Sequence, residues 1–567
     1  MAKRTQQKPK KEPVFEIGLV MAGAISAGAY TAGVTDFLIE ALDQWYTAKE
    51  NKVPDCPPHN VKLKVLSGAS AGAMTAGITA AALGGDIEPV REIKPWKAVN
   101  NKLYEAWVQK IDIEHLLGTD DLRKNDGPVK SLLDSTILDD IAENVFTVSQ
   151  PGKRRTYIDD PLDLYLSITN LRGVPYNIGF KGATEAGHEL SLRSDYIRFQ
   201  LSSKKNIRAG IRKLDPGNYN DPAWRDLAEA SLASGAFPIG LAPKILSRSK
   251  KEYAKRKWPV PVDPRQRNQT GDCIEMTPID PAWPDDINKQ QDYEYRFVSV
   301  DGGVLDNEPL ELARKTLAQA DVRNKRSGKE ANRAVILIDP FPHDAPFKTD
   351  YETKGDIFNI IPALLSSLRT QARFKPDELI LAQREDIYSR FLIAPKRRAQ
   401  NGKLAEFPIA SGLLGGFGGF LSLSFREHDY QLGRRNCQMF LKEHFALPYG
   451  RHHKNPLFDN WTREMIHNHR IKEGNEVFLP IIPLVGTAAE EVPPPPWPSY
   501  SLNNLQPVKR QLKRRINAVA GRLVDLHIPY WPVRLGLKTV LTTIICPRTV
   551  NEMVLKIEKE LKTYEFT

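Results

Sequence analysis

The chain has 567 residues. That is about four times the ~150-residue scale of a single domain, so two or three folded units are expected. Apolar side chains make up 41% and charged ones 26%, a balance that excludes a wholly disordered, collagen-like or multi-span membrane chain. The four cysteines (Cys56, Cys273, Cys437, Cys546) form no Cys-x-x-Cys pair, which excludes a disulfide framework or zinc ribbon and fits a reducing, cytoplasmic compartment. The formal net charge of +11 is uneven: residues 1–13 carry +4, residues 501–567 carry +7, and residues 14–500 balance to zero. A neutral body argues against a nucleic-acid-binding protein and assigns any anionic contact to the two ends.

A basic start followed by the small apolar run 17–30 imitates a secretory signal, but Glu16 precedes the run, which serves better as a strand, a turn and a helix start. Residues 15–21 read as a buried strand. A helix over 28–45 follows, with Val34, Leu38 and Leu42 on one face. Strand 62–66 leads through a tight glycine turn into a small-residue helix over 71–82. Further strands are expected at 163–169, 190–199, 297–300 and 334–338, with helices at 224–234 and 310–320. Strand alternating with helix predicts a mainly parallel sheet covered on both faces, a three-layer α/β/α sandwich. Residues 247–295, polar and rich in Lys, Arg and Pro, read as a long surface insertion.

Beyond about residue 350 the pattern turns helical. The expected organisation is a basic tail (1–13), a catalytic domain (14–345), a helical extension (346–491), a stiff Pro-rich spacer (492–500) and a basic helical segment (501–567). No run reaches the ~20 apolar residues of a membrane-crossing helix. The uncharged, glycine-broken stretch 407–425 reads as a mobile apolar loop.

Three segments carry candidate chemistry. Gly68-Ala69-Ser70-Ala71-Gly72 is a G-x-S-x-G match between a strand and a helix. Such a turn projects a nucleophilic serine at a helix N-terminus, and its bland counterpart is a glycine-packed turn. Residues 23–28, starting Gly23-Ala24-Ile25-Ser26, also lie between strand and helix and offer backbone N–H groups to a negative charge. The Lys-Ser/Thr of a phosphate loop is missing, since Ala29 and Tyr30 stand there. An oxyanion hole or a simple helix entry remains. Asp301-Gly302-Gly303 follows an apolar strand, where open α/β sheets bind ligands, although an Asp in a glycine turn is common. His452, His453, His467 and His469 have no second ligand cluster at metal spacing and read as loop histidines. A Ser70–Asp301 triad completed by His343 or His428 would follow α/β-hydrolase order, but too few strands precede the serine. Residues 425–436 read as structural hydrogen-bonding between C-terminal helices and core.

Taken together, these segments resemble the patatin-like phospholipase family: a glycine-rich loop, a G-x-S-x-G serine and an Asp-Gly-Gly, in that order. The resemblance takes in Gly33, the run from Ala230 to Pro238, and Asn307-Glu308-Pro309, and spans roughly residues 14–345. It implies a lipid acyl hydrolase (phospholipase A or lysophospholipase type) with Ser70 as nucleophile and Asp301 as its only partner, and no cofactor or metal. It also implies Gly68 and Gly72 at the elbow, Gly302 and Gly303 beside the base, and an oxyanion hole at Gly23, Ala24, Ile25 and Ser26. One departure matters: the family's consecutive glycines are replaced here by Gly23-Ala24-Ile25, and a β-branched residue resists positive φ. The runner-up is therefore a catalytically weak, lipid-binding or membrane-associated protein on the same fold. At the C-terminus, Leu505, Val508, Leu512, Ile516, Val519 and Leu523 form one apolar stripe beside Lys509, Arg510, Lys513, Arg514, Arg515 and Arg522. Such a helix either packs on the core or docks peripherally on an anionic membrane.

Overall fold

The computed structural model describes residues 12–567 other than 93–98, 125–126, 148–151, 153–154, 180–187, 205–206, 208–209, 262–273, 320–323, 343–359, 361–362, 365–366, 368–369, 374–383, 385 and 400. Residues 1–11 of the basic tail and His343 lie outside the described residues.

Strand β1 (Val14–Met21) runs through a short turn into helix α1 (Gly28–Glu50), and β2 (Asn60–Gly68) runs into α2 (Ala71–Ala82). There follow β3 (Ile158–Ile178), β4 (His188–Leu201), β5 (Arg212–Leu214), β6 (Lys244–Ser249), the hairpin β7–β8 (Arg256–Pro261, Ile274–Ile279), β9 (Glu294–Asp301), β10 (Arg333–Ile338) and β11 (Arg390–Ile393). The main sheet has the order β11-β10-β1-β2-β3-β4-β5, and β9 joins β3 and β6 off that path. Pairings among β11, β10, β1, β2 and β3 are parallel, while β3–β4, β3–β9 and β6–β9 are antiparallel.

Alternation along β1 explains the layers. Phe15, Ile17, Leu19 and Met21 join the core on the α1 and α2 side, whereas Val20 packs with Leu310, Ala313 and Leu317 of the Leu310–Ala318 helix on the other. The result is the expected α/β/α sandwich, followed by a largely helical C-terminal region that also holds a small sheet, β12-β14-β13 (Ala446–Pro448, Glu476–Pro480, Ile471–Glu473).

Four expectations need revision. The sheet continues past residue 345, because β11 adds in parallel to the β10 edge. The 247–295 insertion is not only surface: Arg248, Tyr253 and Tyr295 are fully buried, and Arg248 binds Glu252 and Asp195. The Pro-rich spacer is strapped to the body, with Trp497 stacked 4.9 Å from Phe566 and donating to the Tyr564 carbonyl. In the basic helix Leu505–His527, Arg515 is buried, donating to the Leu132 and Gly118 carbonyls and to Asp121, while Leu523 is exposed. The periodicity gave the stripe, but not which cation would find a buried carboxylate.

Sequence-distant contacts join this C-terminal region to the sandwich. His59, before β2, faces Trp45 and Trp461, donates from Nε2 to the Ile481 carbonyl (2.9 Å), and accepts the Trp461 Nε1–H at Nδ1 (3.1 Å). Trp offers only a donor, so the ring is the neutral Nε2–H tautomer. Burial lowers its pKa to about 3, with Lys49 adding to the effect. A depressed histidine costs nothing above the unfolded value of 6.5. As pH falls from there toward 3, stability is lost at about 1.4 kcal/mol per unit. Chemical denaturation of wild type and His59→Gln at pH 7 and pH 5 checks this: wild type should lose about 2 kcal/mol more over that interval.

Candidate functional site

The turn after β2 is held in a conformation that side chains resist. Ser70 has φ 52° and ψ −126°. Strain of this kind, on the order of 1–3 kcal/mol, persists only where the surroundings fix it. Here the Ser70 N–H donates to Ser234 Oγ (2.9 Å), which donates to the Ser167 carbonyl (2.6 Å). The Ala69 N–H donates to the Met21 carbonyl across the sheet. A Cβ on Gly72 would lie 2.0 Å from the Met21 oxygen, and one on Gly68 would lie 2.5 Å from the Gly72 carbonyl carbon, so the elbow closes only with glycine at both.

Asp301 ends β9. Its N–H donates to the Ala236 carbonyl and its own carbonyl accepts Thr169 Oγ1 (2.8 Å), so the residue is fixed by two neighbouring segments. The carboxylate Oδ1 accepts the Gly303 N–H (2.7 Å), and Oδ2 accepts the Ser70 hydroxyl at 2.6 Å, across 231 residues of sequence. Ser70 is 7% and Asp301 3% exposed, so the contact lies out of bulk water, where a charge-assisted hydrogen bond of this length is strong.

The expected oxyanion loop borders the same space. Gly23, Ala24, Ile25, Ser70, Asp301, Gly303 and Asn307 line one pocket of about 490 Å³. Gly302 follows Asp301 in the buried turn Gly302–Val304. The Gly23 N–H donates to the Asn307 carbonyl (3.2 Å), so its hydrogen is engaged at the strand end. Ile25 takes φ 50°. The β-branched residue thus adopts the left-handed backbone that the sequence made doubtful.

Residues 410–421 are packed, not mobile as read from their glycines. They form two 3-10 turns, Ala410–Gly416 and Gly418–Leu421, most of whose residues are buried. Ser26 holds them, its hydroxyl donating to the Gly416 carbonyl (2.5 Å) and accepting the Gly419 N–H (3.0 Å). Arg426 donates to the Gly419 carbonyl, and Asp429 accepts the N–H groups of Ala410 and Ser411. This cap supplies Leu414, Gly415 and Phe417 to the pocket wall. Beside Ser70 a second, apolar slot of about 30 Å³ is lined by Met74, Trp107, Leu138 and Phe420, and Ile25 and Phe417 border both spaces.

A buried charged group backs the loop. Glu308 and Asp339 share Arg373 (3.1 and 2.6 Å), and Asn307 Nδ2 donates to Glu308 (2.7 Å). Burial, reinforced by Asp339 and opposed by Arg373, pushes Glu308 up to about 7. Sequence reading missed Ser167, Ser234, Asp339 and Arg373. Only Ser234 lay in a stretch already singled out, while the others carry no local signal. His428 is not with Ser70: its Nδ1 pairs with Asp429 at 2.8 Å and its ring stands against Trp497. Among the described residues no group of three His, Cys, Asp or Glu is placed to hold a metal ion.

Comparison with known proteins bears on this geometry. The chain matches the family model described as patatin-like phospholipase over residues 19–314, more than half its length. It is 39% identical over 570 aligned residues to the uncharacterized protein y4iI of Sinorhizobium fredii (strain NBRC 101917 / NGR234), covering 94% of this chain and 79% of that one. The solved structure of VipD from Legionella pneumophila aligns at 13% identity over 99% of this chain and 91% of that chain, with a TM-score of 0.24, too low to carry an argument. The matched region spans the serine elbow, the Asp-Gly-Gly turn and the loop between β1 and α1, and the chain belongs to the patatin-like phospholipase family.

Proposed function

We propose that this protein is a lipid acyl hydrolase of the phospholipase A or lysophospholipase type that works through a Ser70–Asp301 dyad. The observation that carries the reading is the 2.6 Å contact between Ser70 Oγ and Asp301 Oδ2 inside an apolar pocket. Asp301 takes the Ser70 proton as Oγ attacks the ester carbonyl, and backbone N–H groups of Ala24, Ile25 and Ser26 meet the oxygen that becomes negative. Collapse breaks the ester C–O bond, and the alcohol leaves with the proton from Asp301. Water, deprotonated by the same carboxylate, then releases the fatty acid and restores the serine.

The positive φ of Ile25 supports an intact hole over the runner-up, a lipid-binding protein without turnover, because the loop keeps the left-handed backbone a glycine would supply. The apolar pocket and slot suit acyl chains. The excess of basic residues in the sequence at 1–13 and 501–567 suits peripheral contact with anionic membrane.

The test is hydrolysis of a p-nitrophenyl acyl ester and of lysophospholipid by wild type and Ser70→Ala. The wild type should turn both over and label stoichiometrically at Ser70 with a fluorophosphonate, whereas Ser70→Ala should do neither. A wild-type protein that is folded, unreactive and without turnover would favour the runner-up.

A further inference from the structure

The C-terminal helices leave an apolar face without a partner. Helix Leu505–His527 and helix Cys546–Thr563 bury side chains such as Val508, Val519, Val550 and Val554. Between them, helix Trp531–Val540 and the turn Leu541–Ile545 contain no buried residue at all. Tyr530, Trp531, Val533, Leu535, Leu537 and Ile544 are each at least 40% exposed, with Trp531 at 68%. Scattered exposed apolar side chains are ordinary, but a contiguous set on one short segment marks an interaction surface.

Charge around this tip decides what covers it. Residues 505–550 hold nine basic side chains and one acidic, Asp525. Asp525 is itself occupied, by Lys538 at 2.7 Å and by Arg534 at 3.7 Å. The apolar tip is therefore free of uncompensated negative charge. Arg510, Lys513 and Arg514 are exposed on the adjoining helix. Aromatic rings at the edge of an apolar face, flanked by cations, match a lipid–water interface, where Trp and Tyr concentrate and anionic headgroups attract Lys and Arg.

The tip is also tied to the pocket mouth from both sides. Arg515 holds the Leu132 carbonyl, and the Leu132 N–H donates to the Ile239 carbonyl. Both residues line the 490 Å³ pocket, and they are 52% and 56% exposed. From the other leg, Glu560 accepts the N–H of Leu414, a third pocket-lining residue.

We infer that the helical tip spanning residues 530–545 is a membrane-docking element that seats in the surface of a bilayer containing anionic lipid, beside the mouth of the Ser70 pocket. This deepens the lipid-hydrolase reading and rests on it for the benefit of docking, but not for the docking itself. It also moves the membrane contact from the stripe of helix Leu505–His527, whose Arg515 is spent on the fold, to the segment that follows. Insertion would be in-plane, since among the described residues no helix is long and apolar enough to cross a membrane.

The experiment uses the full chain carrying Ser70→Ala, so that vesicles stay intact and loss of hydrolysis cannot be mistaken for loss of docking. Sedimentation with vesicles of phosphatidylcholine alone or with one-third phosphatidylglycerol should show binding favouring the anionic set. Trp531→Ala/Leu535→Ala/Ile544→Ala should weaken binding at least about tenfold at low and high salt, because it removes inserted apolar surface. Arg510→Gln/Lys513→Gln/Arg514→Gln should weaken it only at low salt, where screening is slight. In the Ser70 background the tip variant should still hydrolyse a soluble ester at the wild-type rate while losing rate on vesicles. The single change Leu535→Asp, at a 59% exposed site, is a second variant should the triple fail to fold. Either variant binding vesicles as tightly as its parent overturns the proposal. So does a parent that binds no vesicle and sediments as a dimer which the tip changes dissociate, since the occupant would then be a second copy.

Discussion

Asp301→Asn should lower kcat for ester hydrolysis by on the order of 10⁴ while leaving KM within a few-fold of wild type. The carboxamide is nearly isosteric and can still meet Ser70 across the 2.6 Å contact, so folding should survive, and near-native melting is the control. What is lost is, among the described residues, the one group touching Ser70 Oγ that can accept its proton. His428 does not stand in reserve, because it is engaged with Asp429. The same step governs reaction with a fluorophosphonate, so the labelling rate at Ser70 should fall in parallel with kcat. Carboxylates are weak bases, and under the proposed mechanism this one would work by position: it is 3% exposed and aligned by the Gly303 N–H. Asp301→Glu keeps the charge but displaces the oxygens, and should recover little. Full activity in Asp301→Asn would end the dyad, however short the contact.

The two side chains that meet at the candidate site were legible, and those that hold them were not. A strand ending in G-x-S-x-G and a strand ending in Asp-Gly-Gly are local patterns, readable because the backbone at each demands particular side chains over a few positions. Strand and helix placement followed from periodicity in the same way, with α2 recovered to the residue. The cap over residues 410–421 was misread because glycine-rich, uncharged sequence gives no sign of its anchors, Ser26 near the start of the chain and Asp429 on the helix that follows the cap. Arg515 looked like surface charge for the same reason, since its partner Asp121 lies hundreds of residues away, whereas Arg426 falls in the stretch read as structural hydrogen-bonding and donates to the Val108 carbonyl. Ile25 is a third kind of case. Local sterics argue against its φ of 50°, which it takes next to Ser26, whose hydroxyl is tied to Gly416 and Gly419, and beside Phe417 on the pocket wall. Local rules fail at this site because tertiary structure stores strain where function needs a particular backbone.

The largest effect expected on stability lies away from the pocket, at Arg434 on the Leu423–Glu443 helix. That helix crosses α1 so closely that a Cβ on Gly33 would fall 1.9 Å from the Tyr430 carbonyl oxygen. Into this contact α1 presents Asp36 and Glu40, both buried, and Arg434 binds both, reaching Glu40 at 2.5 Å. Asn101 donates to Asp36 and Thr487 to Glu40, so the remaining carboxylate oxygens are also met. Removing one partner of a buried charge network costs about 3–5 kcal/mol, since it strands the others without water. Arg434→Met should therefore destabilise the protein by that amount in urea titration at pH 8. The pH dependence gives an independent sign. Burial already raises Asp36, with Arg434 the main opposing influence. Without the guanidinium Asp36 would bind its proton still more tightly folded than unfolded. The variant's deficit relative to wild type should then shrink as pH falls from 8 toward 5. Arg434→Met/Asp36→Asn/Glu40→Gln, which leaves no charge to strand, should regain most of the loss and lose that pH dependence. If Arg434→Met alone were neutral at pH 8, the ionic contact would not be what fastens the C-terminal region to the α/β sandwich, and the close helix crossing would have to hold the two together through packing.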